Sequence, residues 1–176
     1  MAADYVPAAE SADESADDAV ERLYAEHWAS LVRLGALLLR DPVSAEEVAQ
    51  DAFVALHRRW GSVRDQSKAL AYLRRSVVNG CRSMQRRSAV AARYVPDAER
   101  SADSAESTVL AAARRDTVLA ALAGLPRRQR EVLVLRHWLD LSEAEIAATL
   151  RISRGSVKTH SSRGLTALRT AMEPDA

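Results

Sequence analysis

The residues best suited to binding chemistry lie between positions 141 and 169, in the segment LSEAEIAATLRISRGSVKTHSSRGLTALR. At helical spacing, short hydroxyls and long cations share one face of its second half, at Ser156, Lys158, Thr159, Ser162 and Arg163. Ser153, Arg154 and the start of that helix can also hold a phosphate. Hydroxyl and guanidinium groups bond to base edges in the major groove of DNA, and cations neutralise phosphates. The pattern therefore predicts a nucleic-acid-binding helix.

The same segment carries the signals of two helices joined by a tight turn. Ser142 followed by Glu145 is a capping-box pattern, and Ser153 can cap the second helix. The small Ala147 lets the helices cross closely, and Arg151 stands where many such turns have glycine. The apolar side chains expected to be buried from the second helix are Val157, Leu165 and Leu168. We predict a helix-turn-helix; the alternative is an ordinary two-helix corner with a solvated polar face.

A second group of cations lies in residues 61–95, which carry eight basic residues and one acid. An apolar stripe from Leu70 to Met84 predicts a helix there. Asn79-Gly80 is also a hairpin signal, but the helical period continues on both sides, and glycine costs a helix about 1 kcal/mol. Arg75, Asn79, Arg82 and Arg86 form a basic stripe beside the apolar one.

Two further helices are predicted ahead of this one. One stripe recurs at steps of three and four, at Leu23, His27, Leu31, Leu34 and Leu38, and Asp41-Pro42 ends that helix. Ser44 is the predicted N-cap of the next helix. Its outward face carries Glu46, Glu47, Gln50 and Asp51. By the residues alone, these acids fit a solvated helix start that favours the helix dipole.

Composition excludes several classes of protein. A single cysteine, Cys81, rules out an intramolecular disulfide framework and a cysteine-based zinc site. The four histidines are dispersed, and no phosphate-binding glycine loop occurs, so we expect no enzyme, metal or cofactor. The absence of a long apolar run and of a signal peptide predicts a cytoplasmic protein that does not insert in a membrane.

The predicted fold is all-α, with two small helical domains joined by a flexible linker. Residues 1–20 are expected to be an acidic disordered tail, 21–87 the first domain, 88–108 the linker and 109–172 the second domain. The acids of the linker are Asp97, Glu99, Asp103 and Glu106. The cations before the helix-turn-helix, which fit either phosphate contacts or a solvated helix start, are Arg127, Arg128 and Arg130.

Taken in order, these motifs resemble an extracytoplasmic-function (ECF) bacterial RNA polymerase sigma factor over residues 22–170. LPRRQREVLVLRHWLDLSEAEIA with SRGSVKTHSSRGLTALR looks like sigma region four. SAEEVAQDAF (44–53) resembles the helix of region two that docks on the polymerase, and AYLRRSVVNGCRSMQRR (71–87) resembles the helix that opens and reads the minus-ten element. The short distance between the two regions matches the ECF group.

The resemblance implies a factor that binds core RNA polymerase and directs initiation at promoter DNA, with an anti-sigma factor as a further partner. It assigns polymerase binding to Glu46, Glu47, Gln50 and Asp51. It assigns the minus-ten element to Lys68, Arg74, Arg75, Asn79, Arg82 and Arg86. For the minus-thirty-five element it implies base reading by Thr159, Ser162 and Arg163, and backbone contacts by Arg154, Ser156 and Lys158.

Two other classes of protein fit part of the pattern. A stand-alone regulator of the LuxR type shares the helix-turn-helix and a Val-Lys-Thr-His stretch like residues 157–160. Such a regulator usually needs a sensory or receiver domain, and residues 21–95 lack an alternating βα pattern. A pure protein-interaction module is the third class, which the basic stripe disfavours unless the partner is acidic. The acidic linker fits either an imitation of nucleic-acid charge or a plain spacer.

Overall fold

A computed structural model describes residues 15–63, 65–94 and 109–173, and this part of the chain is helical, with two short 3-10 turns. The helices are α1 (Ala16–Leu39), α2 (Pro42–Arg59), α3 (Ala69–Tyr94), α4 (Val109–Gly124), α5 (Arg127–His137), α6 (Glu143–Leu150) and α7 (Arg154–Met172). The described residues contain no strand, which confirms the all-α prediction. None of the helices in these ranges is long and apolar enough to cross a membrane.

Two predicted domain boundaries differ from the structure. Helix α1 begins at Ala16, so residues 16–20 of the predicted disordered tail are helical. Ser15 caps this helix by accepting from the Asp18 amide, and the acids Asp17 and Asp18 in the first turn favour the positive end of the helix dipole. Helix α3 continues to Tyr94, so residues 88–94 of the predicted linker belong to it. The rest of the predicted tail and linker lies outside the described residues.

The start of α2 also differs from the prediction. Asp41, not Ser44, is the N-cap: its carboxylate accepts from the Val43 amide at 3.1 Å, and Pro42 occupies the first turn. Proline is suited to that position because its fixed φ is helical and its missing N–H would be unpaired there. Ser44 donates to the Asp41 carboxylate instead, and this hydrogen bond lowers the pKa of Asp41.

Helices α1, α2 and α3 form one unit around a leucine-rich core. Leu31 and Leu34 of α1, Leu56 of α2, and Leu73 and Val77 of α3 are fully buried. These side chains come from the stripes that the sequence predicts, because residues three or four apart face the same side of a helix. Each helix in this unit therefore turns its polar side outward.

Helices α4 to α7 form a second unit, in which α7 packs against α4, α5 and α6. The two units are in direct contact, since α5 lies against α1 and α6 lies against α3. Their buried apolar side chains join in one continuous cluster, which includes Leu34 of α1 and Leu135 of α5. The sequence predicts two domains, and the structure adds the surface through which they meet.

Helix α3 runs unbroken through Asn79 and Gly80, which confirms the helical prediction over the hairpin signal. A Cβ atom on Gly80 would lie 2.6 Å from Cγ1 of Val48 on α2. The glycine therefore allows α2 and α3 to approach closely, and this packing offsets its poor helix propensity.

Gly80→Ala is expected to lower the free energy of unfolding by about 1–2 kcal/mol. The clash with the stiff, β-branched Val48 should cost about 2–3 kcal/mol, the upper part of the range for overpacking, and the gain in helix propensity is about 1 kcal/mol. Gly155 of α7 is the matched control, since a Cβ there would lie 3.8 Å from Ser153 Oγ, an ordinary van der Waals contact. Gly155→Ala should stabilise the protein or leave it unchanged. Urea unfolding followed by circular dichroism measures both variants, and wild-type stability in Gly80→Ala would contradict the packing role.

Candidate nucleic-acid interface

Helix α6 begins with the predicted capping box. Ser142 Oγ accepts from the Glu145 amide at 3.3 Å, and the Glu145 carboxylate accepts from the Ser142 amide at 2.9 Å. The Ser142 hydroxyl also donates to this carboxylate at 2.7 Å. These hydrogen bonds, the side-chain one foremost, lower the pKa of Glu145. The cap anchors the first helix of the helix-turn-helix.

The turn after α6 is made by a non-glycine residue in the left-handed region. Arg151 has φ of 53°, and its amide donates to the carbonyl of Ala147. This conformation usually favours glycine, so the prediction that Arg151 takes the place of glycine is confirmed. Ser153 then caps α7 by accepting from the Ser156 amide at 3.0 Å.

Helix α7 packs through Val157 and Gly164, which are both buried. A Cβ on Gly164 would lie 3.0 Å from Cδ1 of Leu133, so α7 runs very close to α5. The prediction that Leu165 is buried is wrong: the residue is 40% exposed, whereas Leu168 is half-buried. Residues 157, 164 and 168 share one face of the helix, and Leu165 lies just beside that face.

The outer face of α7 brings the predicted binding residues together. The exposed ones are Arg154, Lys158, Thr159, Ser162 and Arg163. Ser156 is half-buried, with its hydroxyl 2.9 Å from that of Ser153. Lys158 Nζ lies 3.9 Å from the Glu143 carboxylate, and Thr159 donates to the Gly155 carbonyl at 3.0 Å. The face is hydroxyl-rich and cationic, and its side chains can reach a groove.

The predicted cationic surface of the first unit is only partly assembled. Lys68, Asn79 and Arg86 are exposed, and Arg75 is half-buried. Lys68 Nζ lies 2.6 Å from the Asp65 carboxylate, and this hydrogen-bonded pair raises the pKa of Lys68. These four side chains can meet a ligand in solution.

Two residues of the predicted minus-ten set, Arg74 and Arg82, contact the second unit. Arg82 donates from Nε and Nη2 to the two carboxylate oxygens of Glu131, each at 2.7 Å. Arg74 Nη1 lies 3.9 Å from the Glu145 carboxylate, and desolvation lowers the pKa of Arg74. The Arg82 side chain is 13% exposed.

Glu131 is a functional candidate that the sequence reasoning missed. It is 2% exposed, and besides Arg82 it contacts Arg128 at 3.0 Å and Arg127 at 3.8 Å. Arg127 and Arg128 therefore pair with this carboxylate. The two interpretations predicted for these cations, phosphate contacts and a solvated helix start, did not include this pairing. Spacings of three and four residues reveal both pairs in the sequence, but they do not reveal Arg82.

The polar side chains predicted on the outward face of α2 are all exposed, namely the neutral Gln50 and the acids Glu46, Glu47 and Asp51. Glu47 and Asp51 also line an open groove between α2 and α3, together with Asn79. Negative charge on this face can bind a basic partner surface.

The described residues contain no group of three or more metal-binding side chains. Cys81 is buried, and burial raises the pKa of its thiol to about 12.

Two family models match the chain, one for each helical unit. The model for sigma-70 region 2 matches residues 23–90, and the model for sigma-70 region 4 matches residues 115–168. The chain is 35% identical over 147 residues to the RNA polymerase sigma-E factor of Streptomyces avermitilis, which covers 82% of this chain and 79% of the relative. It is 32% identical over 150 residues to the ECF sigma factor SigM of Mycobacterium tuberculosis, covering 82% and 72%.

The chain belongs to the ECF sigma factors. It is thus a factor that binds core RNA polymerase and promoter DNA and directs transcription initiation. The match to region 2 accounts for the N-terminal unit, where a LuxR-type regulator would have a different domain. Sigma factors as a family are initiation factors and not enzymes.

Solved structures share the fold of this sigma factor. CnrH, in complex with the cytosolic domain of CnrY, aligns with a TM-score of 0.68 at 23% identity, over 92% of this chain and 96% of that one. The sigma factor RpoE of Bartonella quintana, in complex with the anti-sigma factor NepR, aligns with a TM-score of 0.69 at 20% identity, over 89% and 98%.

Ser142→Ala should destabilise region four by about 1 kcal/mol at neutral pH, because it removes a helix cap. Part of that effect depends on the Glu145 carboxylate. The pKa of Glu145 in the folded protein lies below its ordinary value of 4.5. The stability that the ionised carboxylate contributes is therefore fully present above pH 4.5, and it is lost as the pH falls through the folded pKa. Urea titrations from about pH 7 to about pH 3 should therefore show a shrinking difference from wild type.

The control for this pH dependence is Ser153→Ala. Ser153 caps α7 through the Ser156 amide and bonds to the Ser156 hydroxyl, which does not titrate. Its effect on stability should be similar in size and independent of pH. The same pH dependence in both variants would contradict the role given to the Glu145 carboxylate.

Proposed function

We propose that this sigma factor directs core RNA polymerase to a two-part promoter. Region four reads the minus-thirty-five element through α7, and region two holds the minus-ten strand through α3 and binds the polymerase through α2. The observation that carries the proposal is the exposed, hydroxyl-rich and cationic face of α7 on a capped helix-turn-helix.

The N-terminal half of α7 supports the role in the major groove. A recognition helix contacts base edges with the residues of its first turns, and Thr159, Ser162 and Arg163 lie there and are exposed. We assign base reading to these three. Arg154, Ser156 and Lys158 stand at the helix start, where the dipole and the free amides favour a phosphate, and they fix the register on the duplex.

The surface of α3 supports the role at the minus-ten element. Single-stranded DNA is bound by cations that follow its backbone and by groups that contact unstacked bases. Lys68, Arg75, Asn79 and Arg86 are accessible for this in the structure. We include Arg74 and Arg82 in this site when regions two and four are separated.

The acidic face of α2 supports the docking on the polymerase. Its four side chains are exposed and point away from the core of region two. We propose that Glu46, Glu47, Gln50 and Asp51 meet a basic surface of the core enzyme. An anti-sigma factor is a further proposed partner, because the similar RpoE of Bartonella quintana is bound by one. We place the protein in the cytoplasm, where bacterial polymerase works.

Run-off transcription tests the proposed function. Purified core polymerase of Streptomyces avermitilis is supplied with this protein on templates with randomised minus-ten and minus-thirty-five elements. Transcripts with defined start sites that depend on this protein are expected, and both elements should show a selected consensus. Selection at one element only would contradict the two-part reading, and tight duplex binding without initiation would favour a stand-alone regulator.

Arg163→Ala is expected to relax specificity at one or two base pairs and to cost about 1–3 kcal/mol of discrimination there. Arg154→Ala is the contrast, since a lost phosphate contact weakens binding to all sequences. It should also reduce the slope of the logarithm of the binding constant against the logarithm of salt concentration by about one. Transcription from a panel of minus-thirty-five variants measures both. Uniform weakening by Arg163→Ala would remove its base-reading role.

Replacing both Glu47 and Asp51 by Arg should weaken binding to core polymerase by about tenfold or more, because like charges across an interface cost several kcal/mol. The fold should remain intact, since both side chains are exposed. Replacing Glu21 and Glu26 by Arg is the control, because these exposed acids lie on α1 and carry the same charge change. Fluorescence titration with core enzyme measures affinity, and equal loss in both double variants would argue against a specific α2 surface.

A further inference from the structure

We propose that Glu131 occupies the guanidinium fork of Arg82 in place of a DNA phosphate, and so holds the free sigma factor in a closed form that withholds Arg82 from the minus-ten strand. The proposal rests on the proposed role of Arg82 in DNA binding. It concerns the protein before it meets polymerase.

The geometry of the pair is that of anion recognition. Arg82 presents Nε and Nη2 to the two oxygens of one carboxylate, both at 2.7 Å. Arginine binds carboxylate and phosphate through the same planar fork, with two parallel hydrogen bonds. A phosphate oxygen pair and the Glu131 carboxylate therefore compete for the same donors, and Arg82 cannot bind both in this way.

Because both partners are largely buried, this contact restricts the position of region four relative to region two. Glu131 is 2% exposed, and the Arg82 side chain is 13% exposed. A buried charge is tolerated when it is paired and is strongly unfavourable when its partner is removed. Arg127 and Arg128 add positive charge beside the same carboxylate, at 3.8 Å and 3.0 Å. Neutralising Glu131 would leave these guanidinium groups crowded around an uncharged side chain.

Two further contacts lie across the same junction. The guanidinium of Arg33 on α1 lies 4.8 Å from the ring centre of Trp138, at the end of α5. Arg74, a second residue of the proposed minus-ten set, lies 3.9 Å from Glu145 on α6. The closed form thus engages two cations of the DNA surface with acids of region four.

The closed form is incompatible with both promoter elements at once. The names of the elements place them about 25 base pairs apart, which is about 85 Å along B-DNA at 3.4 Å per base pair. A compact chain of this length has a radius of gyration of about 16 Å. The 14 residues between α3 and α4 allow a separation of up to about 50 Å. Opening must therefore precede or accompany binding to both elements.

Closure affects the two DNA surfaces differently. The reading face of α7 stays exposed in the closed form, at Thr159, Ser162 and Arg163. Arg74 and Arg82 of α3 are covered. The free factor therefore keeps its duplex-reading helix available while its strand-holding surface is incomplete.

The distance between the two regions in the free full-length protein tests the closed form. Spin labels are attached to Val54→Cys in region two and Leu165→Cys in region four, two exposed positions. The native Cys81 is replaced by Ala in every labelled variant, because it lies beside the Arg82–Glu131 contact that these variants are designed to open. Pulsed electron paramagnetic resonance should give one short distance for wild type and a broad distribution of longer distances for Glu131→Gln.

Three variants make this measurement specific. Glu143→Gln is the matched control, because it removes the same charge from region four. Among the described residues, Glu143 forms ion pairs within that region, with Arg136 and Lys158, so this variant should stay closed. Arg82→Gln breaks the pair from the other side and should open, which covers the case in which Glu131→Gln does not fold. Replacing both Arg82 and Glu131 by Met should close again, because an apolar pair can replace a buried ion pair.

A short distance in both Glu131→Gln and Arg82→Gln would overturn the proposal. Opening in Glu143→Gln to the same degree would overturn it as well, because a general charge effect would then explain the result. Circular dichroism confirms that each variant keeps its helices, so loss of fold is not mistaken for opening.

Binding of the free protein to mixed-sequence single-stranded DNA of about 12 nucleotides tests the competition. Glu131→Gln should bind at least about tenfold more tightly than wild type, since apparent affinity rises with the fraction of binding-competent protein. The double Met variant should bind weakly, since it is closed and lacks Arg82. Opening without tighter DNA binding would overturn the idea that Glu131 stands in for phosphate, while initiation in the run-off assay would still support the proposed function.

Discussion

The carboxylate of Glu131 is the constraint on which the arrangement of this sigma factor depends. A charged group that is 2% exposed must be neutralised where it lies, and Arg82 of the other helical unit supplies both hydrogen bonds. Because the Arg82 fork is rigid and planar, the contact fixes orientation as well as distance between α3 and α5. The apolar cluster that spans both units also stabilises their contact, but hydrophobic burial is non-directional and does not by itself fix their orientation.

Charge is distributed in this protein by surface and not by overall balance, since the net charge is only +1. Acids occupy the outer face of α2, whereas cations line α3 and the reading face of α7. Cationic side chains differ in exposure according to their neighbours. Lys68 and Lys158 keep their ammonium groups largely in water, whereas the Arg82 side chain is enclosed. Accessibility therefore separates cations that can meet DNA at once from those that need a change of conformation.

Most of the fold could be predicted from the sequence, because its signals are local. The stripes of α1, α2 and α3, the capping box at Ser142 and the left-handed Arg151 all rest on residues within a few positions of one another. Two predictions that were wrong also concern local features. Asp41, not Ser44, is the N-cap of α2, and Leu165 lies just beside the buried face of α7. Asp41 and Ser44 are both favourable N-cap residues, and Leu165 lies one position after the buried Gly164, so small differences in local geometry decided each outcome.

Local sequence patterns specify the helices, the acidic and cationic faces and the motifs of regions two and four, because helical periodicity places those side chains without reference to the rest of the chain. Which cations remain open to DNA depends instead on how the helices pack. Arg82 and Glu131 are 49 residues apart, and no periodicity connects them. Their pairing follows from the packing of α1 on α5 and of α3 on α6, where burial in a poorly polarisable environment forces opposite charges together.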